Sequence, residues 1–181
     1  QNGDGGDFAH YVRTRDGRIT QITHFEDDID FATFGPDRAL YLVGERGAPR
    51  RFIQRLAPGV TDLAQAQTIV AQGEDVIVTD FWGEDPINFA GGRMYVRYIA
   101  GGPSRVRIFD LGGRPHGDLT LPDIASVNEI VPIGADVLYS VETYLTPLQF
   151  YRRHGDASTP TAIRVTSPVN FDDAEVIRAF A

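Results

Sequence analysis

The sequence contains no cysteine and no lysine, and each absence removes a class of chemistry. Without cysteine the chain forms no disulfide, no thiolate nucleophile and no cysteine-ligated zinc site. Without lysine it has neither a Walker-type phosphate loop nor a lysine Schiff base. The lack of cysteine leaves the compartment open, because a soluble cysteine-free domain is compatible with both the bacterial cytoplasm and the periplasm.

Positive charge is scarce as well. All 17 basic residues are arginine, and 25 acidic residues give the chain a net charge of −8. A field of this sign repels the phosphate backbone of nucleic acids, so we expect no nucleic-acid partner. No apolar run approaches the roughly 20 residues needed to cross a membrane, so we expect no membrane partner either.

Motifs for catalysis and metal binding are also missing. A nucleophile elbow needs Gly-x-Ser-x-Gly, because a strained strand-to-helix turn must expose the serine hydroxyl. None of the five serines has glycines at that spacing, and the four histidines include no close pair that would indicate zinc. The acidic run at residues 26–30 favours an exposed loop over a calcium site. We therefore expect no catalytic residue, no metal and no cofactor in this chain.

A repeat is the strongest feature that is present. An apolar-Tyr pair is followed eight residues later by a proline in three places: Leu40-Tyr41 with Pro49, Met94-Tyr95 with Pro103, and Leu138-Tyr139 with Pro147. Each tyrosine lies in a predicted strand, and each proline opens the next strand. The copies are 54 and 44 residues apart, which is the pitch of four-stranded propeller blades. We expect the repeated tyrosines to pack between blades.

The repeat predicts an all-β fold, a β-propeller fragment of about three and a half four-stranded blades. Turn signals divide the chain into a half blade at 1–28, blades at 29–73, 74–123 and 124–170, and a strand within 171–181. In the second of these blades we expect an innermost strand at 76–81 and an insertion at 82–92. A short helical turn is expected within 61–66, and a last strand at 175–181.

A blade cannot bury both faces alone, so its neighbours must stack against it. Two arrangements remain open. The last strand can join the first hairpin and complete a four-bladed ring, or further blades can lie outside this sequence. In the second case the terminal blades expose apolar faces, and such patches drive association.

Four segments follow one another in a distinctive order in the later part of the chain. They are residues 102–111 (GPSRVRIFDL), 119–127 (LTLPDIASV), 137–147 (VLYSVETYLTP) and 150–152 (FYR). Upstream, residues 45–52 (ERGAPRRF) and 2–7 (NGDGGD) add two turn-like motifs. This series resembles the last part of the propeller in the prolyl oligopeptidase family of serine peptidases. Gly112 departs from the Asp or Asn that the family often carries, and the insertion at 82–92 has no clear counterpart.

The resemblance implies a seven-bladed propeller that caps an α/β-hydrolase peptidase domain. It implies hydrolysis of short peptides after proline, with the propeller gating access of the substrate. This chain would be the C-terminal part of that propeller, and residues 171–181 would lead toward the peptidase domain, which is its expected partner in the same parent chain.

Candidate tunnel residues come from the innermost strands. Asp30, Asp80 and Glu129 are acidic residues on three different predicted blades, and Phe81 and Trp82 follow directly after Asp80. They can face a peptide in the tunnel, although Trp82 is also explained by packing between blades. Two other functions remain as alternatives: a stand-alone propeller that serves as a protein-binding scaffold, and a small calcium-dependent propeller hydrolase that uses the three carboxylates.

Overall fold

A computed structural model describes residues 8–79, 85–169, 171 and 173–179. In these residues the chain is almost entirely antiparallel sheet, as predicted. A two-stranded hairpin, β1 (Tyr11–Arg13) and β2 (Ile19–Gln21), precedes three larger sheets. A 3-10 turn at Leu63–Gln65 lies where the sequence predicts a short helical turn.

The first blade contains four strands in sequential order. They are β3 (Ile29–Phe34), β4 (Leu40–Gly44), β5 (Phe52–Leu56) and β6 (Gln67–Val70). Each strand pairs antiparallel with the next one along the chain. This is the meander that the turn signals predict.

The second blade has an innermost strand in two pieces. These are β7 (Val76–Ile77) and β8 (Ile87–Ala90), and both pair with β9 (Arg93–Ile99). The sheet continues with β10 (Ser104–Asp110) and β11 (Pro115–Asp118). The predicted end of the insertion at residue 92 was therefore wrong, because residues 87–90 form a strand that pairs with β9. The predicted strand at 76–81 ends at Ile77 among the described residues.

The third blade again has four strands in sequential order. They are β12 (Ile130–Ile133), β13 (Asp136–Val141), β14 (Gln149–His154) and β15 (Ala157–Arg164). An isolated bridge between Ser126 and Glu142 extends the inner edge beyond β12. The inner pieces β8 and β12 of neighbouring blades lie side by side, as expected near a propeller axis.

The core is divided into three layers, one at each contact between neighbouring sheets. Strand side chains alternate between the two faces of a sheet, so a central strand supplies both layers beside it. The first seam (hairpin against first blade) contains Ile22, Ile29, Leu40, Leu42 and Leu56. The second seam (first against second blade) contains Ala39, Tyr41, Val43, Ile53, Val70, Ile77, Ile87, Met94, Val96, Tyr98 and Phe109. The third seam (second against third blade) contains Ala90, Tyr95, Val106, Ile108, Leu119, Ala125, Val127, Ile130, Val137, Tyr139 and Val141.

The three repeated tyrosines are buried in these seams but are not equivalent. Tyr41 faces the following blade, where its ring lies 4.8 Å from that of Phe89 and its hydroxyl donates to the Leu111 carbonyl at 3.0 Å. Tyr95 also faces the following blade, whereas Tyr139 faces the preceding one, so both lie in the third seam. The two-residue turns at 91–92 and 134–135 place Leu138 at the position of Tyr95. The third copy of the repeat is therefore shifted by one residue.

The predicted last strand does not form in the described part of the chain. Residues 173–179 have no strand pairing, and the Arg178 guanidinium instead donates to the Gly101 carbonyl at 2.7 Å. The hairpin β1–β2 has no third strand among the described residues. The four-bladed ring that this strand could have closed is thus not formed in the part of the chain that the structure describes.

Candidate functional site

Two of the predicted tunnel residues lie at the same end of the blade stack. In an antiparallel meander the first strand begins where the second strand ends. Asp30 and Glu129 stand at the start of the innermost strands, beside the turns at 45–51, 100–103 and 142–148. The other three candidates, Asp80, Phe81 and Trp82, lie outside the described residues.

Asp30 is held in an ion pair and not left free. The Nε of Arg51 donates to Asp30 Oδ2 at 2.6 Å, and both side chains are largely buried. A second guanidinium nitrogen lies 3.3 Å from Glu45. Charge-assisted hydrogen bonds of this length are about twice as strong as neutral ones. The carboxylate of Asp30 is therefore locally neutralised.

The same arginine connects the first blade to the second. Arg51 Nη1 donates to the Ile77 carbonyl at 3.1 Å, and Thr79 donates to Asp30 at 3.4 Å. Arg51 has a φ of +69°, a region that residues with a side chain rarely adopt. Backbone strain of this kind persists where the surroundings hold it. The sequence does not single out Arg51, because its partner Asp30 is 21 residues away along the chain.

Glu129 has a different environment. Its backbone is fixed by Ser140, whose Oγ accepts from the Glu129 N–H at 2.9 Å and whose own N–H donates to the Glu129 carbonyl at 3.1 Å. The residue is half-buried, and its carboxylate makes no ion pair with a described residue. Nearby, the Asn128 amide donates to Glu142 at 3.3 Å. Glu129 and Glu142 thus bring negative charge to this end of the third blade, and no described cation pairs with it.

A buried arginine that sequence reasoning missed sets the position of this segment. Arg97 lies in the middle of β9 and donates to the Asn128 carbonyl at 3.0 Å across the third seam. Burying a guanidinium is costly unless it is hydrogen-bonded. The sequence did contain a signal for this burial, since Arg97 lies between Val96 and Tyr98 within a predicted strand. A central strand of a blade is covered on both faces, so an arginine in its middle is expected to be buried.

One contact in the described residues joins a histidine to a hydroxyl. His10 Nδ1 lies 2.8 Å from Thr23 Oγ1, and the His10 N–H donates to the same oxygen at 2.9 Å. Thr23 has no exposed surface, so its hydroxyl cannot reach a substrate. Because His10 precedes β1 and Thr23 follows β2, the pair closes the open end of the hairpin and is a structural contact.

The burial of the His10 ring makes the stability of the chain depend on pH. Burial lowers the pKa of His10 below its ordinary value of 6.5. A lowered pKa means that the fold favours the neutral ring, so this stability is present above pH 6.5 and is lost as the pH falls below it. We expect urea unfolding to show a smaller loss between pH 7.5 and 5.5 for His10→Gln than for the unchanged chain. His116→Gln, at an exposed histidine, serves as control, and equal losses in all three proteins would contradict this account.

The acidic run at 26–30 is dispersed in the structure. Arg46 lies 3.5 Å from Asp27 and 3.8 Å from Asp28, while Asp30 points to Arg51. Among the described residues no group of three or more acidic or histidine side chains is placed to hold a metal ion. Nor does that part of the chain include a helix long and apolar enough to cross a membrane.

A cleft of about 580 Å³ opens at the same end, between the second and third blades. The loop at 101–103, the segment at 124–126, the turn at 142–144 and residues 176–179 line it. Tyr144 and Ile177 in its wall are highly exposed. The lining also includes both Glu142 and Arg178, so the cleft presents apolar side chains together with charge of either sign.

Comparison with known proteins supports the fold but not an activity. No family model matches the sequence, and no curated protein matches it. Solved structures do match. A prolyl endopeptidase matches with a TM-score of 0.73 at 19% identity, and the match covers 94% of this chain and 28% of the endopeptidase chain. A puromycin hydrolase matches with a TM-score of 0.70 at 18% identity, and the match covers 91% of this chain and 25% of the hydrolase chain. Prolyl oligopeptidase B from Galerina marginata matches with a TM-score of 0.74 at 11% identity, and the match covers 96% of this chain and 25% of the oligopeptidase chain.

These matches extend over nearly all of this chain but only about a quarter of each of the three proteins. At such low identity the similarity concerns the fold. The fold expected from the order of the four sequence segments between residues 102 and 152 is thereby confirmed. This chain has the fold of a β-propeller segment of prolyl oligopeptidases.

Proposed function

We propose that this chain is the substrate-gating part of the propeller of a serine peptidase that hydrolyses short peptides after proline. The observation that carries the proposal is the match of almost the whole chain to about a quarter of prolyl endopeptidases. The lack of a nucleophile elbow in the sequence agrees with a role beside a catalytic domain. The α/β-hydrolase domain is then its partner in the parent chain.

The two described tunnel candidates have different roles in this proposal. Asp30 is a positioning residue, because its carboxylate holds Arg51, which in turn holds the second blade at Ile77. Glu129 is a contact residue, because its carboxylate has no ion-pair partner among the described residues. Asp80, Phe81 and Trp82 stay predicted tunnel residues. A negative mouth favours peptides that carry a basic residue near the proline.

An activity assay on the protein encoded by the complete gene tests the proposal. We expect cleavage after proline in a short chromogenic peptide and no cleavage of a folded protein that contains exposed Xaa-Pro sequences. A serine-directed inhibitor is expected to abolish the activity. Absence of prolyl peptidase activity in the complete, folded protein would contradict the proposed function.

Charge reversal at Glu129 tests the gating role separately. In Glu129→Arg we expect KM for a basic peptide to rise about fivefold to tenfold, because an attractive charge becomes repulsive at short range. The kcat should stay unchanged, since the residue is not part of the catalytic machinery. Asp16→Arg, an exposed change of equal charge in the hairpin turn, is the matched control. Equal effects of the two variants would show that Glu129 does not contact the peptide.

A further inference from the structure

The innermost chain of the third blade contains a β-bulge just before β12. Ser126 pairs with Glu142, and Ile130 pairs with Tyr139. The inner chain thus advances by four residues where the facing chain advances by three. An extra residue of this kind redirects the side chains beside it, and bulges are over-represented next to active sites. The bulge at 127–129 is therefore a place where a side chain leaves the regular pattern of the sheet.

The bulge turns Asn128 out of the core. Val127 and Ile130 are three residues apart, yet both pack into the third seam. Since strand side chains alternate between the two faces, residues at this spacing share a face only because of the bulge. Asn128 and Glu129 lie between them and are not part of the seam, and Asn128 is exposed. The Asn128 side chain therefore reaches the surface at the innermost edge of the blade.

The first blade has the same bulge, and Asp30 stands at the position of Asn128. A register shift after Ile29 adds one residue to β3, and Ile29 packs against the preceding sheet as Val127 does. The Asp30 side chain keeps 18% exposure although the second blade lies against it, with Thr79 donating to its carboxylate. The bulge position thus stays open when a following blade is present, and its exposure belongs to the blade itself.

The backbone around Asn128 is held from both sides by buried side chains. The Arg97 guanidinium donates to the Asn128 carbonyl at 3.0 Å, and Ser140 Oγ accepts from the Asn128 N–H at 3.3 Å. Ser104 of the second blade accepts from the Val127 N–H at 2.9 Å. Functional side chains are held in place by this kind of support, in which the surrounding groups are fixed by their own packing.

The side-chain amide of Asn128 is oriented as well. Its Nδ2 donates to Glu142 Oε2 at 3.3 Å, and an ionised carboxylate can only accept. The amide oxygen is therefore turned away from Glu142, and it accepts no hydrogen bond from a described residue. An extended peptide offers backbone N–H donors that this oxygen can accept.

We propose that Asn128 binds the backbone of the substrate peptide through its amide oxygen, which accepts one peptide N–H, and that Arg97, Ser140 and Glu142 are its positioning residues. The inference rests on the proposed function and adds to it a contact that does not depend on the side chains of the peptide. Such a contact suits substrates that share a proline and otherwise differ in sequence. Because proline has no N–H, the donor belongs to another residue of the peptide.

N-methylated peptides and Asn128→Ala in the protein encoded by the complete gene test the contact. The substrate is a short chromogenic peptide cleaved after proline, and each derivative carries a methyl group on one other backbone nitrogen. With the unchanged protein we expect one derivative to raise KM about threefold to tenfold, because a single hydrogen bond is lost. Asn128→Ala should raise KM by a similar factor for the unmethylated peptide, and that derivative should raise it no further.

Two controls accompany this experiment. Gln67→Ala removes an exposed amide from the outermost strand β6 and should respond to every derivative like the unchanged protein. Arg97→Met and Arg153→Met each remove a buried arginine, but Arg153 donates to Asp156 and not to the bulge. Arg97→Met should therefore reproduce the response of Asn128→Ala to the derivatives, whereas Arg153→Met should keep that of the unchanged protein.

The outcomes separate this inference from the proposed function. In an active protein, additive effects of Asn128→Ala and every methyl group would overturn the contact at Asn128 alone. Equal responses of Arg97→Met and Arg153→Met would overturn the positioning role of Arg97. An unchanged protein that hydrolyses no prolyl peptide would overturn the proposed function and this inference with it.

Discussion

Replacing Gly113 by alanine is expected to destabilise the chain by about 3 kcal/mol. Gly113 lies in the turn between β10 and β11 with a φ of +88°. An added Cβ would collide with the Ile69 carbonyl oxygen and would lie 2.7 Å from its carbonyl carbon. Since Ile69 belongs to β6 of the first blade, the collision pushes the first and second blades apart. Thermal unfolding should show a melting temperature lower by about 10 °C.

Gly17→Ala separates this collision from backbone strain. Gly17 has nearly the same φ of +86°, but a Cβ there meets no atom within 4 Å. The control should therefore lose only the cost of the left-handed conformation, about 1 kcal/mol. Equal losses in the two variants would mean that the turn at 113 does not touch the first blade.

Truncating Ile53 is expected to have a comparable effect by a different route. Ile53 lies in β5, has no exposed surface and packs in the second seam. Ile53→Ala should lower the free energy of unfolding by about 2–5 kcal/mol, because the lost side chain leaves a cavity between two blades. Urea unfolding measures the loss.

Ile163→Ala in the outermost strand β15 removes the same atoms from a side chain that is more than half exposed. Its free energy of unfolding should change by less than about 0.5 kcal/mol. If Ile53→Ala lost as little stability as this control, the packing of Ile53 in the second seam would be contradicted.

The all-β fold with several antiparallel sheets could be predicted from the sequence, because strand patterns with turn signals recur along it and the Tyr motif recurs after 54 and 44 residues. The register of the third copy could not, since the Leu-Tyr pair at 138–139 looks like those at 40–41 and 94–95. The turns before β9 and β13 both have two residues, so Arg93 and Asp136 occupy equivalent positions. The apolar-Tyr pair begins one residue after Arg93 but two residues after Asp136. A shift of one residue moves every side chain to the other face.

The candidate site was accessible to sequence reasoning only in part. Acidic residues at the start of innermost strands identified Asp30 and Glu129, and the structure brings both to one end of the stack. Asp30 is neutralised by Arg51, a residue with a left-handed backbone conformation, whereas Glu129 has no ion-pair partner among the described residues. Long-range partners of this kind have no local sequence signature.

The coding sequence that follows the codon for Ala181 tests the central claim most directly. The account predicts an α/β-hydrolase domain in the same reading frame, with a Gly-x-Ser-x-Gly elbow followed by an aspartate and then a histidine. A stop codon close behind residue 181, or a domain without this constellation, would contradict the assignment of this propeller segment to a serine peptidase.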